Sequence, residues 1–387
     1  MYYEIKTLNN IAAVGLQQLD PDLFRVNAEG RAPDGILVRS ASLHDMALPP
    51  QLLAVARAGA GVNNIPVEAC SAAGIVVFNT PGANAGAVKE LVLAGLVLSG
   101  RRAVQGALWA KALAGEADLA KLVEKGKAQF AGPELAGKKL GVVGLGAIGA
   151  RVANMAVHLD MEVLGYDPYI SVDAAWSLSR SVKHCLDLGK LLAECDYVTL
   201  HLPVTPDTKG LLNDQTFSQM KPGARLLNFA RGDLVDEAAL KSALDAGRVA
   251  AYVTDFPTAG LLADDRCVCL PHLGASTPES EDNCAVMAAR ELSDYLRNGN
   301  IANSVNFPAV SMPRSAGARI CVIHKNVPGL LAAITDAAGA AKLNIENLTN
   351  KSRGAYAYTM LDTSAPADAA VAQQIAAVPD VIRVRVV

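Results

Sequence analysis

KKLGVVGLGAIG, residues 138–149, is the stretch on which the reading of this chain turns. KLGVV is a short apolar run of the kind a buried parallel strand uses. GLGAIG fits G-x-G-x-x-G, and IGARVANMAVHL behind it carries helical apolar spacing. Each glycine has a physical task. Gly144 permits the tight turn, Gly146 lets the backbone approach a pyrophosphate, and Gly149 lets helix and strand pack closely. The helix N-terminus, with Ala147 and Ile148 in its first turn, would then meet the anion with unpaired N–H groups. The next strand, MEVLGYD, ends at Asp167, 21 residues after Gly146, where an acid would meet the adenine ribose. A carboxylate there repels a 2′-phosphate, so NAD is the expected cofactor rather than NADP.

Outward from this motif the β–α alternation continues. Strands are predicted at DYVTLHLP, ARLLNFAR, VAAYVTDF and CVCLPHL, with helices such as DEAALKSALDAG between them. Upstream, GILVRS (35–40), LLAVARAGA (52–60) and GIVVFNT (74–80) read as buried strands, and 81–98 as a long helix. Downstream, PESEDNCAVMAARELSDYLR (278–297) reads as a helix and NFPAVSMPRSAGAR (306–319) as a Pro/Ser/Gly-rich connection. The tail then gives β-α-β-β-α-β, the ferredoxin-like order. The expected fold class is α/β: two doubly wound parallel-sheet domains, Rossmann-like and flavodoxin-like, plus a C-terminal ferredoxin-like α+β domain. Residues 1–98 with 285–305 are assigned to a substrate domain and 99–284 to a dinucleotide domain. Residues 306–317 are assigned to a linker and 318–387 to the small domain.

Composition narrows the function classes. The 387 residues are 51% hydrophobic and 19% charged, the balance of a globular chain with sizeable cores. A net charge of −3 gives no electrostatic case for nucleic acid or an anionic membrane. MYYEIKTLNN lacks a basic-plus-apolar leader, so a cytoplasmic protein without signal peptide is expected. Seven cysteines without paired spacing argue against both a disulfide framework and a metal site.

NFARGDLVDE (228–237), VTDFP (253–257) and PHLGAST (271–277) each follow a predicted strand. Arg231, Asp255 and His272 should therefore gather at one edge of the sheet, where such folds bind ligands. With the glycine motif and HLPVTPDTKGLL (201–212), these segments resemble the D-isomer-specific 2-hydroxyacid dehydrogenase family over about residues 35–305. HKNVPGLL and NIENL in the tail resemble an ACT domain. The resemblance implies that Arg231 forks onto a substrate carboxylate and that His272 exchanges the C2 hydroxyl proton. It implies that Asp255 faces the nicotinamide end of the cofactor. His201, Pro203, Thr208, Ala230 and Gly274 would line the groove. The family's histidine normally hydrogen-bonds a glutamate, but Ala259 and Gly260 stand where it is expected. Either Asp264 or Asp265 substitutes, or His272 works without a carboxylate partner.

Substrate identity turns on cations in the first domain. Arg39 and Arg57 match positions where phosphate-recognising members carry arginines, with Lys6 a weaker candidate. The backbone of Gly59, Ala60, Gly61 and Val62 could hold a carboxylate, with Asn79 and Asn84 near by resemblance. The first expectation is NAD-dependent oxidation of 3-phosphoglycerate to 3-phosphooxypyruvate, in serine biosynthesis. The alternatives are glycerate, glyoxylate or D-lactate as substrate, or a non-enzymatic dinucleotide sensor like the corepressors of the same fold. In the tail, His324, Asn326 and Asn344 match positions that bind an L-serine effector between paired domains. A homodimer or homotetramer is implied, with 100–135 as the contact arm.

Overall fold

The computed structural model describes residues 2–315, 317–367 and 369–387. Ala316 of the expected linker, and Met1 and Asp368 of the expected domains, lie outside the described residues. Two compact units divide the chain: Met1–Asn84 with Pro278–Val387, and Ala85–Thr277.

The first unit holds a five-stranded parallel sheet built from β1 (Tyr3–Leu8), β2 (Phe24–Val26), β3 (Gly35–Val38), β4 (Ala54–Arg57) and β5 (Val76–Phe78). Their order, β2-β1-β3-β4-β5, is flavodoxin-like. Ile36, Val38, Val55 and Val77 fill one face, and Ile5, Leu37, Ala56 and Phe78 the other. The helix Pro278–Asn298 covers that second face with Ala285, Ala288, Leu292 and Tyr295. Close packing is enforced where Gly15 meets Ala285: a Cβ on Gly15 would lie 2.6 Å from its backbone carbonyl carbon.

The second unit is a seven-stranded parallel sheet: β6 (Lys139–Val143), β7 (Glu162–Tyr166), β8 (Lys183–His184), β9 (Tyr197–Leu200), β10 (Ala224–Asn228), β11 (Val249–Thr254) and β12 (Cys267–Cys269). The order β12-β11-β10-β9-β6-β7-β8 reverses direction between β6 and β9, the switch point at which such sheets bind ligands. The helix Ala85–Gly100 packs here, with Val88, Val92 and Leu96 against Leu140, Val142 and Leu227. The chain therefore crosses to the second unit near residue 85 rather than after 98, and returns at 278 rather than after 284.

β13 (Ala318–Lys325), β14 (Ile345–Arg353), β15 (Tyr356–Thr363) and β16 (Val381–Val386) form the antiparallel tail sheet, ordered β14-β15-β13-β16. It carries the expected β-α-β-β-α-β order, but its attachment differs from expectation. Cys321, Ile323, Tyr358 and Met360 share one core with Tyr295, Leu296 and Phe307 of the first unit. Arginines fasten it to main-chain carbonyls. Arg383 donates to Leu52 and Ala73, Arg385 to Leu296, and Arg353 to Ser304. The linker reading of 306–317 is thus corrected. Phe307, Val310 and Met312 are buried anchors, and Val310 pairs with Ile301 in a β-bridge. Among the described residues no single helix is long and apolar enough to cross a membrane.

Candidate active site

The second unit's sheet delivers its candidate residues at the C-terminal ends of β6, β7, β9, β10, β11 and β12. After β6 the backbone turns at Gly144 with φ +92°. A Cβ at Gly144 would lie 2.6 Å from the His201 carbonyl oxygen, and one at Gly149 only 1.8 Å from that of Gly144. Both glycines are therefore required by backbone contact. Gly146 is different: no atom lies within 4 Å of where its Cβ would be, so its face is open. It N-caps the helix Ala147–Val157 without a side-chain hydrogen bond, which leaves the first-turn N–H groups, Ala147 and Ile148 among them, available to an anion. Asp167 stands beside this turn, its carboxylate accepting from Leu145 N (2.9 Å) and Tyr169 N (2.9 Å). A glycine cradle that a Cβ would fill, an uncapped helix start and an acid beside them fit a dinucleotide.

Across the switch point, His201 follows β9. Its Nε2 lies 3.0 Å from Thr199 Oγ1, while Nδ1 is buried without a partner among the described residues. Burial pushes its imidazole down to about 3, which favours the neutral ring. Thr208 Oγ1 donates to the Pro203 carbonyl at 2.6 Å, closing the exposed turn that follows.

The buried Asn228 amide shapes the end of β10. Its Oδ1 accepts from Ala230 N and Arg231 N, and its Nδ2 donates to Arg231 O at 2.8 Å. This clamp holds Arg231 at the sheet edge, exposed, with Nη1 donating to Ala230 O. Sequence reasoning missed Asn228, although a polar residue ending an apolar strand is a visible signal.

Asp255, which follows β11, is 1% exposed. Its Oδ2 accepts from Gly274 N at 3.3 Å, and its Oδ1 has no partner among the described residues. Burial raises its carboxyl above the ordinary range, and the attraction of His272 and then Arg231 pulls the other way. One buried carboxylate thus lies within electrostatic reach of both expected catalytic side chains. His272 itself packs edge-on against Phe256, ring centroids 4.9 Å apart. Both line a cavity of about 640 Å³ with Asp255, Tyr252, Glu237 and Thr258.

The expected carboxylate substitutes are corrected here. Asp264 is bound to Arg266, with Nε to Oδ1 at 2.8 Å, and that guanidinium holds its carboxyl down to about 2. Asp265 gives its carbonyl to Gln105, and neither aspartate lines the His272 cavity. What occupies the vacated space is Glu237. Its Oε1 accepts from Thr258 Oγ1 at 2.9 Å and would lie 2.3 Å from a Cβ on Gly260. A side chain at 260 would make that carboxylate, the free end of an exposed glutamate, swing aside.

In the first unit Arg39 forms an ion pair with Glu281, Nη2 to Oε1 2.6 Å. Arg57 donates Nε to the Arg39 carbonyl at 3.0 Å and Nη1 to the Gly61 carbonyl, so it braces the loop it begins. Gly59 is confined by that guanidinium, 2.9 Å from its would-be Cβ. Asn79 Nδ2 donates to Ala60 O at 2.6 Å. The N–H groups of Ala60, Gly61 and Val62 carry no hydrogen bond among the described residues, which suits an anion. Asn84 Oδ1 is buried and without a partner among the described residues, and Lys6 is exposed.

In the tail, His324 is buried with both ring nitrogens engaged, to Lys325 O and Thr359 Oγ1, each 2.8 Å. It is therefore a structural residue of the sheet rather than an open contact. Asn326 and Asn344 are exposed, but Asn326 follows β13 and Asn344 precedes the parallel-running β14, at opposite ends of the sheet. One chain does not bring them together.

Residues 105–274 match the NAD binding domain of the D-isomer specific 2-hydroxyacid dehydrogenases. A D-3-phosphoglycerate dehydrogenase of Synechocystis sp. is 36% identical over 290 residues, 72% of this chain and 50% of that protein. The Homo sapiens enzyme of that name is 36% identical over 293 residues, covering 73% and 52%. The chain thus spans about half the length of these relatives. The solved NAD+-bound 3-phosphoglycerate dehydrogenase of Entamoeba histolytica superposes with a TM-score of 0.59 at 25% identity, covering 79% of this chain and 99% of that one.

Proposed function

Over residues 105–274 the chain belongs to the D-isomer specific 2-hydroxyacid dehydrogenase family, and from that premise we propose that it is an NAD-dependent dehydrogenase oxidising 3-phospho-D-glycerate to 3-phosphooxypyruvate. The observation that carries the reading is Asp255. A buried carboxylate is coupled to both Arg231 and His272 on the same sheet whose first strand ends in the glycine cradle.

NAD, when bound, supplies the hydride acceptor. Gly144, Gly146, Gly149 and Asp167 would hold its adenosine and pyrophosphate end, and Asp255 would lie towards its other end. Arg231 pairs its planar fork with the substrate carboxylate and polarises the C2 oxygen. His272 accepts the C2 hydroxyl proton in oxidation and returns it in reduction. Within the first unit, the open N–H groups of the 60–62 loop suit an anion, and Arg39 beside that loop supplies a cation that is held by Glu281.

NADH formation with 3-phosphoglycerate, D-glycerate and D-lactate in parallel tests this. Turnover should favour the phosphorylated acid, and H272A or R231A should cut kcat/KM by about 10²–10⁴-fold. Full activity in either variant would overturn the assignment of roles, and turnover of D-lactate alone would overturn the substrate. On the resemblance alone, the reading extends to L-serine as an effector of paired tail sheets and to a homo-oligomer. The arm suggested for that contact is 100–135, whose helices Ala103–Ala112 and Leu119–Gly126 hold no fully buried residue. Serine calorimetry and sedimentation test these two.

A further inference from the structure

A second cavity, of about 570 Å³, lies within the first unit, where β14 of the tail sheet meets the segment 302–309. Its lining includes Asn79, Asn303, Ser304, Lys351, Ser352 and Arg353, and no acidic residue. Lys351 and Arg353 alternate along the edge strand and so share a face. Lys351 is exposed and forms no ion pair among the described residues, and Arg353 spends one donor on the Ser304 carbonyl. Two cations thus meet Ser352 at a concave space whose lining holds no carboxylate, while the Ser304 hydroxyl is spent on Asn306 and the amides of Asn79 and Asn303 brace its walls. Such an inventory suits a small anion that also accepts hydrogen bonds.

The walls of this cavity reach the substrate loop. Asn79 N donates to the Asn303 carbonyl, and Asn79 Nδ2 to the Ala60 carbonyl. Asn303 in turn donates to Glu291, a buried carboxyl that burial raises to about 7. A ligand held between Lys351, Arg353 and Asn303 would therefore pull on the residue that sets the 60–62 N–H groups. We propose that this cavity is a regulatory site for a small phosphate- or carboxylate-bearing metabolite, acting through Asn79 on the substrate-binding loop.

Binding and its spread to residues 76–84 stand apart from the dehydrogenase reading, whereas the consequence for catalysis rests on it, so binding is measured without turnover. Calorimetry on the full chain in a non-coordinating buffer uses inorganic phosphate and citrate as probes. Wild type should bind at least one of them, K351E should weaken that binding by about tenfold or more, and K351R should restore it. Which probe binds distinguishes a phosphoryl from a polycarboxylate ligand. Because other cations of the chain attract anions, only the part of the binding lost in K351E is assigned to this cavity. Amide exchange at 76–84 and 302–309 should slow with the probe in wild type and not in K351E. Neither probe binding, or K351E binding as wild type does, overturns the site. Binding without altered exchange at 76–84 overturns the coupling. If the chain makes no NADH with any hydroxy acid, the enzyme reading fails while the binding result stands.

Discussion

Asp255 earns its position from burial, because a carboxylate shut away from water responds to every nearby charge. D255N removes the buried carboxylate that faces both His272 and Arg231 and should lower kcat/KM. D264A should leave it unchanged, since Asp264 spends its charge on Arg266. Steady-state rates of the two variants decide it, and equal losses in both would refute the distinction. Arg231, Asp255 and His272 were legible in the sequence because each ends a recognisable strand, and strand ends in a parallel sheet gather at one edge. Glu237 was not legible. Its place in the cavity wall comes from the tertiary contact with Thr258, and no spacing rule links positions 237 and 258. Arg39 and Arg57 could be identified as cations, but their engagement with Glu281 and with the Arg39 and Gly61 carbonyls belongs to tertiary structure.

The turn after β6 is the element whose function and geometry coincide most closely. G149A places a methyl group against the Gly144 carbonyl and should cost about 1–3 kcal/mol of stability together with most NAD affinity. Thermal melts with and without NAD measure both, and an unchanged ligand-induced rise in Tm would contradict it. In the tail sheet, Arg319 and Asp362 are cross-strand partners on β13 and β15, fully buried, with Nε to Oδ1 at 2.6 Å. D362A leaves a guanidinium buried without its carboxylate and should cost about 3–5 kcal/mol in denaturant unfolding. A loss similar to that of an exposed pair would mean that water reaches Arg319. The long elements were legible because their periodicity is. β1 and β2 went unrecognised at the N-terminus, and β8, two residues long, has no pattern to read. The 306–317 stretch misled for a different reason. Its prolines and serines describe a chain without regular structure, which is true, but Phe307, Val310 and Met312 between them are anchors.

For the whole molecule, the tail sheet is part of a core and not an appendage. Removing residues 318–387 strips Ile323, Tyr358 and Met360 from the packing around Tyr295 and Phe307. At about 1.5–3 kcal/mol per buried side chain, the loss is comparable with a domain's entire stability of about 5–15 kcal/mol. The truncated chain should therefore lose the cooperative unfolding of its first unit rather than become an unregulated version of the whole. Calorimetric scans show which occurs, and a retained transition at the wild-type temperature would refute it. The order of the sheets along the chain was readable from sequence; the joining of the tail sheet to the first was not, because it rests on arginines reaching carbonyls far away in the chain. That fusion also sets a timetable for biosynthesis. Residues 85–277 form a continuous unit and can fold as they leave the ribosome, whereas residues 1–84 must wait for partners translated after Thr277. The nascent N-terminal sheet thus waits with one face uncovered until the residues after Thr277 are made, and it is there that a chaperone would be needed.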